Sequence, residues 1–499
     1  MKREFEQAAD NRFASVLAEE NVLRTMFRKP EVIEETLLSL SAGDFADKDL
    51  GRVYYAFEQL AEKGQRQTAV TVNAFLPKYA SIPLCESEKE TVEVLVKEGD
   101  IVKEGDVIAK SNGVYTHSSI PGRVVEIVKT QYADGMQGLI ARVALDGALS
   151  YLGKKRTRQN WQSLEPSTIS FLLKERGVVN TFHKTRSLYA GIEQFRQEKG
   201  EVVTLRLVDE DPSMVTETFV ASREKSHILE GLAIVAQACG AKAVVVAVSS
   251  ETDFLTGAEC TSELSQFFGN SVKIAFIALD TKKYPVGKMH DLVLSVKRKY
   301  KDTAPEFAKI GRKDLFIDAT TALAVYNAIA LDTPVLSSFV HVTGDCLNAA
   351  AVMNVKIGTP LKDLVEQCGG FKRKLSKIVI NGLVSGTAVS SLDIPVSRGV
   401  RSVEFVPVSQ AKLQHSQSCV RCGNCRKICP VALWPGNLYR IAHLSENERR
   451  VLNTKEISDS ALLCNECGLC NSVCPSRIPL SQTIALLKES KINEVRNQR

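Results

Sequence analysis

No uncharged apolar run among the 499 residues reaches the ~18 positions needed to cross a bilayer. The longest candidate, Ile378 to Leu392, is broken by glycine and serine. The opening residues, MKREFEQAAD, lack the apolar core of a secretion signal. These absences lead to the expectation of a soluble or peripheral protein that stays in the cytoplasm. No charge sign dominates either: 64 Lys and Arg against 58 Asp and Glu leave a net charge of +6. The densest basic runs, Lys297, Arg298, Lys299 and Lys301, then Lys372, Arg373 and Lys374, read as solvated loops. A surface for an acidic partner or an anionic membrane is the second reading of each. Nothing in the charge pattern indicates a nucleic-acid module. The 44% hydrophobic and 24% charged residues are ordinary for globular protein, and the length suffices for several domains.

The 13 cysteines are unevenly placed. Cys85, Cys239, Cys260, Cys346 and Cys368 are scattered and are expected to be buried small hydrophobes. The remaining eight fall in SCVRCGNCRKICPVAL and LLCNECGLCNSVCPSRIPL, each of which reads C-x2-C-x2-C-x3-C-P. A cuboidal [4Fe–4S] cluster presents four iron corners close together, so its thiolates must be grouped on tight turns. Gly423 and Gly468 permit such turns. In two-cluster proteins the fourth cysteine of each run serves the other cluster. The expected ligands are therefore Cys419, Cys422, Cys425 and Cys474 for one cluster, and Cys464, Cys467, Cys470 and Cys429 for the second. Zinc also binds paired C-x2-C motifs. Two complete runs, each closed by proline (Pro430, Pro475), favour clusters. Disulfides are disfavoured without a secretion signal. The 34 residues between Cys429 and Cys464 read as helical.

The fold expected is multidomain α/β and α+β, in five parts. Residues 1–72 form a helical bundle, with apolar residues at helical spacing through Val16, Leu17, Val22, Leu23, Met26 and Phe27. This segment resembles the N-terminal helical domain of DnaB-type helicases. No Walker motif follows, so the resemblance implies an interaction module without helicase activity. Residues 73–150 alternate in VEVLVKEGDIVKEGDVIAK and resemble a barrel-sandwich hybrid of the biotinyl or lipoyl type. The hairpin tip at Gly113-Val114-Tyr115 lacks the carrier lysine, so no prosthetic group is expected. Residues 151–335 alternate strand-like and helix-like segments, such as AKAVVVAVSS and LFIDATTALAVYNAIAL, and read as a Rossmann-like α/β domain. Residues 336–408 read as a small α+β module of the ubiquitin-like, SLBB kind. Residues 409–490 form the helical, ferredoxin-like two-cluster domain.

Taken together, residues from about 73 to 490 resemble the C subunit of the Rnf complex, the ion-translocating ferredoxin:NAD oxidoreductase. The landmarks are FLPKYASIPL, KYPVG at Lys283 to Gly287, Val342-Thr343-Gly344, Ile357-Gly358-Thr359-Pro360 and the two cysteine runs. INGLVSGTAVSSLDIPVSRG stands where the family has a Gly-Gly-Pro-Met-Met-Gly segment. Related families are the sodium-pumping quinone reductase A subunit and a cobalamin reductase. The resemblance implies an electron-transfer subunit, peripheral on the cytoplasmic face of the inner membrane through its partner subunits. Ferredoxin or flavodoxin is a further partner to consider, and no nucleic acid is expected.

In that family the α/β domain binds FMN and NADH through a loop of the form GLGGAGFPT, where glycines let backbone N–H groups approach phosphate. Here the aligned stretch is LLKERGVVNTFHKTRSLYAG, with no glycine between Gly177 and Gly191. Asn180, Thr181, Phe182, His183 and Lys184 occupy the loop, and only Glu210, Asp211 and Pro212 remain of a second flavin-side element. The nucleotide site is expected to be degenerate and the loop solvated, although His183, Lys184 and Arg186 could attract a phosphate. FMN and NADH are accordingly doubtful cofactors, and no catalytic residue is assigned. Two other readings stand beside the electron-transfer subunit. One is a soluble NADH- and flavin-dependent reductase of ferredoxin or cobalamin. The other is a scaffold that carries a ferredoxin module.

Overall fold

The computed structural model describes residues 71–85, 91–111, 113–146, 158–269, 271–409, 416–451 and 454–497. The helical bundle expected from residue 1 therefore lies almost wholly outside the described residues. The described chain opens with a strand, Thr71–Asn73, that pairs in parallel with Ala351–Lys356 in the register Thr71 to Val352.

Next comes the β module. Tyr79–Pro83, Gln137–Leu145, Gly122–Gln131 and Ile101–Val102 form an antiparallel sheet, and Val92–Val94, Val107–Ser111 and Tyr115–His117 form a second. Alternate residues point inward, so Ala80, Ile82, Ile108, Val124, Ala141 and Val143 make one core. The repeated KEGD turns close alike: Asp100 accepts from the Lys97 amide at 2.9 Å, and Asp106 from the Lys103 amide at 2.7 Å. Past Ser111 the hairpin tip is tied down, because the Gly113 carbonyl accepts a hydrogen bond from the Ser187 hydroxyl.

The α/β domain is built on a parallel sheet in the order Lys273–Leu279, Ala243–Ser249, Val202–Arg206, Leu315–Asp318. The central strands are buried on both faces, which explains their continuous apolar runs. Helices Lys225–Cys239 and Ala319–Ile329 pack against each other and the sheet, with Leu229, Leu232, Val325 and Ala328 among the buried contacts. The basic run at Lys297 to Lys299 is not a loop. It forms the last turn of the helix Met289–Tyr300, where cations complement the carbonyl end of the helix. Lys372, Arg373 and Lys374 do lie in an exposed connection.

Residues from Ser337 to Pro407 complete a six-stranded sheet, and the helix Leu361–Gln367 packs its Leu361, Leu364 and Val365 inward. The C-terminal part is helical. Pro435–Ala442, Lys455–Asp459 and Leu480–Asn497 surround a small core of Leu433, Leu438, Ala461, Ile484 and Leu487. Among the described residues no helix is long and apolar enough to cross a membrane. The five scattered cysteines are all buried.

Candidate metal centre and the loop packed beside it

In the second cysteine run, Gly468 adopts a left-handed φ of 76° and opens the short helix Leu469–Ser472, which turns the chain back between Cys467 and Cys470. Cys464, Cys467 and Cys470 line one small pocket together with Cys429 of the first run. Pro430, Leu433, Leu469 and Ile484 supply apolar walls. Backbone N–H groups point at two of the sulfurs: Leu433 to Cys429 at 3.3 Å, and Glu466 to Cys464 at 3.4 Å. Burial pushes the Cys464 thiol up to about 11. Burial, followed by the crowding of Cys464, Cys467, Cys429 and Cys425, pushes Cys470 up to about 12. Thiols that suppress one another's ionisation in this way need a polycation to ionise together, and iron supplies that. Among the described residues no three His, Cys, Asp or Glu side chains converge as on a single bound ion. A cuboidal cluster has no need of such convergence, since it spreads its thiolates over separate corners. The donor set and its apolar pocket fit a cluster of that kind.

The first run makes the same local turn, with Gly423 at φ 74° opening Asn424–Ile428. Its surroundings differ. Cys419 and Cys422 are exposed, and Cys425 and Cys474 half-buried. The fourth cysteine of the other run is nonetheless brought to it. The Gln417 amide donates to the Ser476 carbonyl at 2.8 Å, and the Ser476 hydroxyl donates to the Ser418 carbonyl at 2.9 Å. Cys425 and Cys474 pack on the same cluster of Cys470, Ile478 and Leu480.

The second run is docked on the rest of the chain. Tyr284 donates its hydroxyl to the Cys467 carbonyl, and Asn465 donates to Asp291 at 3.0 Å. A Cβ on Gly468 would stand 2.1 Å from the Val384 carbonyl oxygen, so loop 382–385 presses directly on the cysteine turn. That loop is held by Asp211, which accepts from the Val384 and Ser385 amides at 3.0 and 2.9 Å.

The degenerate loop is buried where it begins, at Thr181 and Phe182, and exposed beyond, where His183, Lys184 and Arg186 reach solvent as expected. Phe182 is buried, with the Arg206 guanidinium 4.2 Å from its ring centroid and Phe316 beside it. Two backbone N–H groups of the loop are already committed: Thr181 donates to the Thr321 hydroxyl at 3.1 Å, and Phe182 to the Asn180 side chain at 3.0 Å. Asn180 donates in turn to the Phe316 carbonyl at 2.8 Å. The Thr181 hydroxyl donates to Asp318 at 2.9 Å. His183 lies 3.7 Å from Glu210 and 3.8 Å from Glu466, while Lys184 pairs with Glu466 and Glu489 at 3.3 and 2.8 Å. Arg186 is exposed and forms no ion pair among the described residues. With a phenyl ring in place of glycine and the Thr181 and Phe182 amides committed, this part of the loop does not fit the phosphate of FMN or NADH.

Behind the loop is a buried charge network that hydropathy alone does not reveal. Arg206 donates to the Gly287 and Phe182 carbonyls at 2.8 and 2.9 Å. Arg401 pairs with Asp318 at 3.2 Å and Glu217 at 3.6 Å, and Lys288 pairs with Glu210. Burial opposes charge on Glu210, yet Lys288, His183 and Arg206 hold its carboxyl well below the usual range. Glu217, pushed up by burial and then by Asp318, reaches about 8. Glu466 behaves as Glu210 does: burial opposes its charge, and His183, Lys488 and Lys184 more than offset this. The signal for this network was a lone charge inside a buried strand, Arg206 in VVTLR and Asp318 in LFID.

The chain matches four families in separate segments: the RnfC Barrel sandwich hybrid domain over residues 59–147, the SLBB domain over 339–386, the 4Fe-4S dicluster domain over 415–478, and the DnaB-like helicase N terminal domain over 12–97. The last overlaps the first, and from residue 71 onward the regular elements in the overlap are strands. Among curated proteins, the C subunit of the Na(+)-translocating ferredoxin:NAD(+) oxidoreductase complex of Acetobacterium woodii is 23% identical over 72% of this chain and 81% of its own length. The C subunit of the ion-translocating oxidoreductase complex of Methanosarcina acetivorans is 26% identical over 75% of this chain and 85% of its own. A solved NAD+-reducing [NiFe]-hydrogenase covers 69% of this chain and 69% of its own at a TM-score of 0.42 and 14% identity, too remote a likeness to bear on the chemistry. The chain resembles the C subunits of Rnf-type ion-translocating oxidoreductase complexes, with a preceding segment that resembles the N-terminal domain of DnaB-like helicases.

Proposed function

We propose that this chain is the C-type electron-transfer subunit of an Rnf-type, membrane-associated oxidoreductase complex, and that it holds two [4Fe–4S] clusters. The single observation that carries this is the crossing of the cysteine runs, with Cys429 lining one pocket with Cys464, Cys467 and Cys470. The other set is then Cys419, Cys422, Cys425 and Cys474, supported by the hydrogen bonds between residues 417–418 and Ser476. When bound, such clusters supply one-electron redox centres, so no general acid or base is required of the chain. The chain's own residues orient the thiolates, wall the second set off with Leu433 and Ile484, and aim N–H groups at Cys429 and Cys464.

The filled loop at Phe182 disfavours a free-standing NADH- and flavin-dependent reductase, so electrons reach the chain through a protein partner. Association with the membrane is through other subunits, on the cytoplasmic face. The segment 1–72 is a separable interaction module, which proteolysis should release near residues 70–80. The ligand assignment is tested by Cys429→Ala and Cys474→Ala. Each should abolish the spectrum of the cluster held by the opposite run, in the pattern that Cys467→Ala and Cys422→Ala respectively produce. Loss that follows each cysteine's own run would defeat the crossed assignment.

A further inference from the structure

The third position of the two cysteine runs carries opposite charge. Glu466 stands between Cys464 and Cys467 at a left-handed φ of 55°, and Arg421 between Cys419 and Cys422 at 54°. Their settings differ as much as their charges. Arg421 is exposed and forms no ion pair among the described residues. Glu466 donates its amide to the Cys464 sulfur at 3.4 Å, and its carboxylate, 14% exposed, takes the Lys488 ammonium at 2.9 Å. Lys488 comes from the helix Leu480–Asn497, is itself 19% exposed, and donates also to the Cys464 carbonyl at 2.7 Å. Lys184 approaches the same carboxylate at 3.3 Å, but it is more exposed and lies nearer Glu489, at 2.8 Å. Lys288, also buried, is committed to Glu210. Burial pushes the Cys464 thiol up, while the Glu466 amide and then the Lys488 cation act against it. The ammonium is thus placed to act on charge at that sulfur.

We propose that Lys488 is a positioning residue for the cluster of the second cysteine set, and that its fixed positive charge beside Cys464 raises the reduction potential of that cluster. Reduction adds one electron, hence one negative charge, to the set, and no bond is made or broken. The electron comes from the protein partner of the proposed function, or from dithionite in the test below. Burial of Cys467 and Cys470 disfavours the added charge, because less water is there to solvate it. A cation held by two acceptors in the same poorly solvated place offsets this, since screening is weak there. Glu466 acts in the opposite sense, and Lys488 keeps its carboxylate from facing the sulfurs uncompensated. The first set has no counterpart, because Arg421 stands in solvent, where its charge is screened.

This inference rests on the two-cluster reading, and its test separates the two. The full chain is purified anaerobically, its iron is counted, and it is titrated with dithionite while the EPR signals of the reduced clusters are followed. The Cys422→Ala chain identifies the signal of the second cluster. Lys488→Met keeps an unbranched stem and removes the charge, and should make that cluster about tenfold harder to reduce, a fall of about 59 mV for one electron. The first cluster should not move. Lys488→Arg should retain the original potential. Lys491→Met, three residues further along the helix and paired instead with Asp459 and Glu494, should move neither cluster. If Lys488→Met loses iron, Glu466→Gln asks the same question with the opposite sign. It keeps the amide at Cys464 and should make the second cluster about tenfold easier to reduce. An unmoved second potential in either variant with its iron complete, or an equal fall in Lys488→Arg, would overturn the proposal. So would a fall shared by both clusters, which marks a loosened module. Iron for fewer than two clusters in the unaltered chain would instead defeat the two-cluster reading.

Discussion

The two cysteine runs share a spacing, a left-handed glycine and a short following helix, yet one is docked and the other is open. Gly423 has nothing within 4 Å of where a Cβ would stand, while at Gly468 the Val384 carbonyl is 2.1 Å away. Cys467 and Cys470 are buried; Cys419 and Cys422 are exposed. The spacing of the thiols dictates which group they can hold. What packs on the turn dictates where that group faces, and here the difference gives the module an inner and an outer side. The inner side meets the α/β domain at His183, Lys184 and Tyr284. The outer side meets solvent at Cys419 and Cys422.

Removing a ligand from each side is the strongest way to break this comparison. Cys467→Ala and Cys422→Ala should each lose about half the iron, one cluster of two. Only Cys467→Ala should also lower the melting temperature of the α/β body, because it empties the docked side. Equal melting of the two variants, read by circular dichroism, would remove the distinction.

Replacing the glycines sharpens it further. Gly423→Ala costs only the left-handed backbone penalty, about 1–2 kcal/mol. Gly468→Ala carries that same penalty and adds overpacking of about 1–3 kcal/mol against loop 382–385. Chemical denaturation of both variants should therefore show the larger loss at Gly468. Similar losses would mean that loop 382–385 does not press on the turn.

The closed loop gives a smaller effect. NADH should bind at least tenfold more weakly than to a relative with the glycine loop, a loss of ~1.4 kcal/mol or more, and FMN should be absent or substoichiometric after gel filtration. Tight NADH binding by calorimetry, or one FMN per chain, would reopen the reductase reading. Smallest is Lys184→Ala. Its pairs with Glu466 and Glu489 are partly solvated, so about 0.5 kcal/mol is expected, and less at high salt.

Much of this was legible in the residues, for identifiable reasons. The cysteine runs declare themselves because cluster ligation fixes spacing. The strands at Ala243 and Lys273 and the helix at Lys225 show in apolar period and run length. What was missed depends on distance along the chain. His183 and Lys184 are exposed, but their pairing with Glu466 was hidden because that partner lies far away in sequence and carries no local mark. The basic run at Lys297 has the charge density of a loop, and only its place at the end of an amphipathic period marks it as the last turn of a helix. Asp211, which holds the Val384 loop, could not be distinguished from any acidic turn residue.

The central claim, two clusters on crossed ligands, is tested most directly by iron and acid-labile sulfide analysis of the anaerobically purified chain. Two clusters predict about eight of each per chain. Stoichiometric zinc without iron would contradict them.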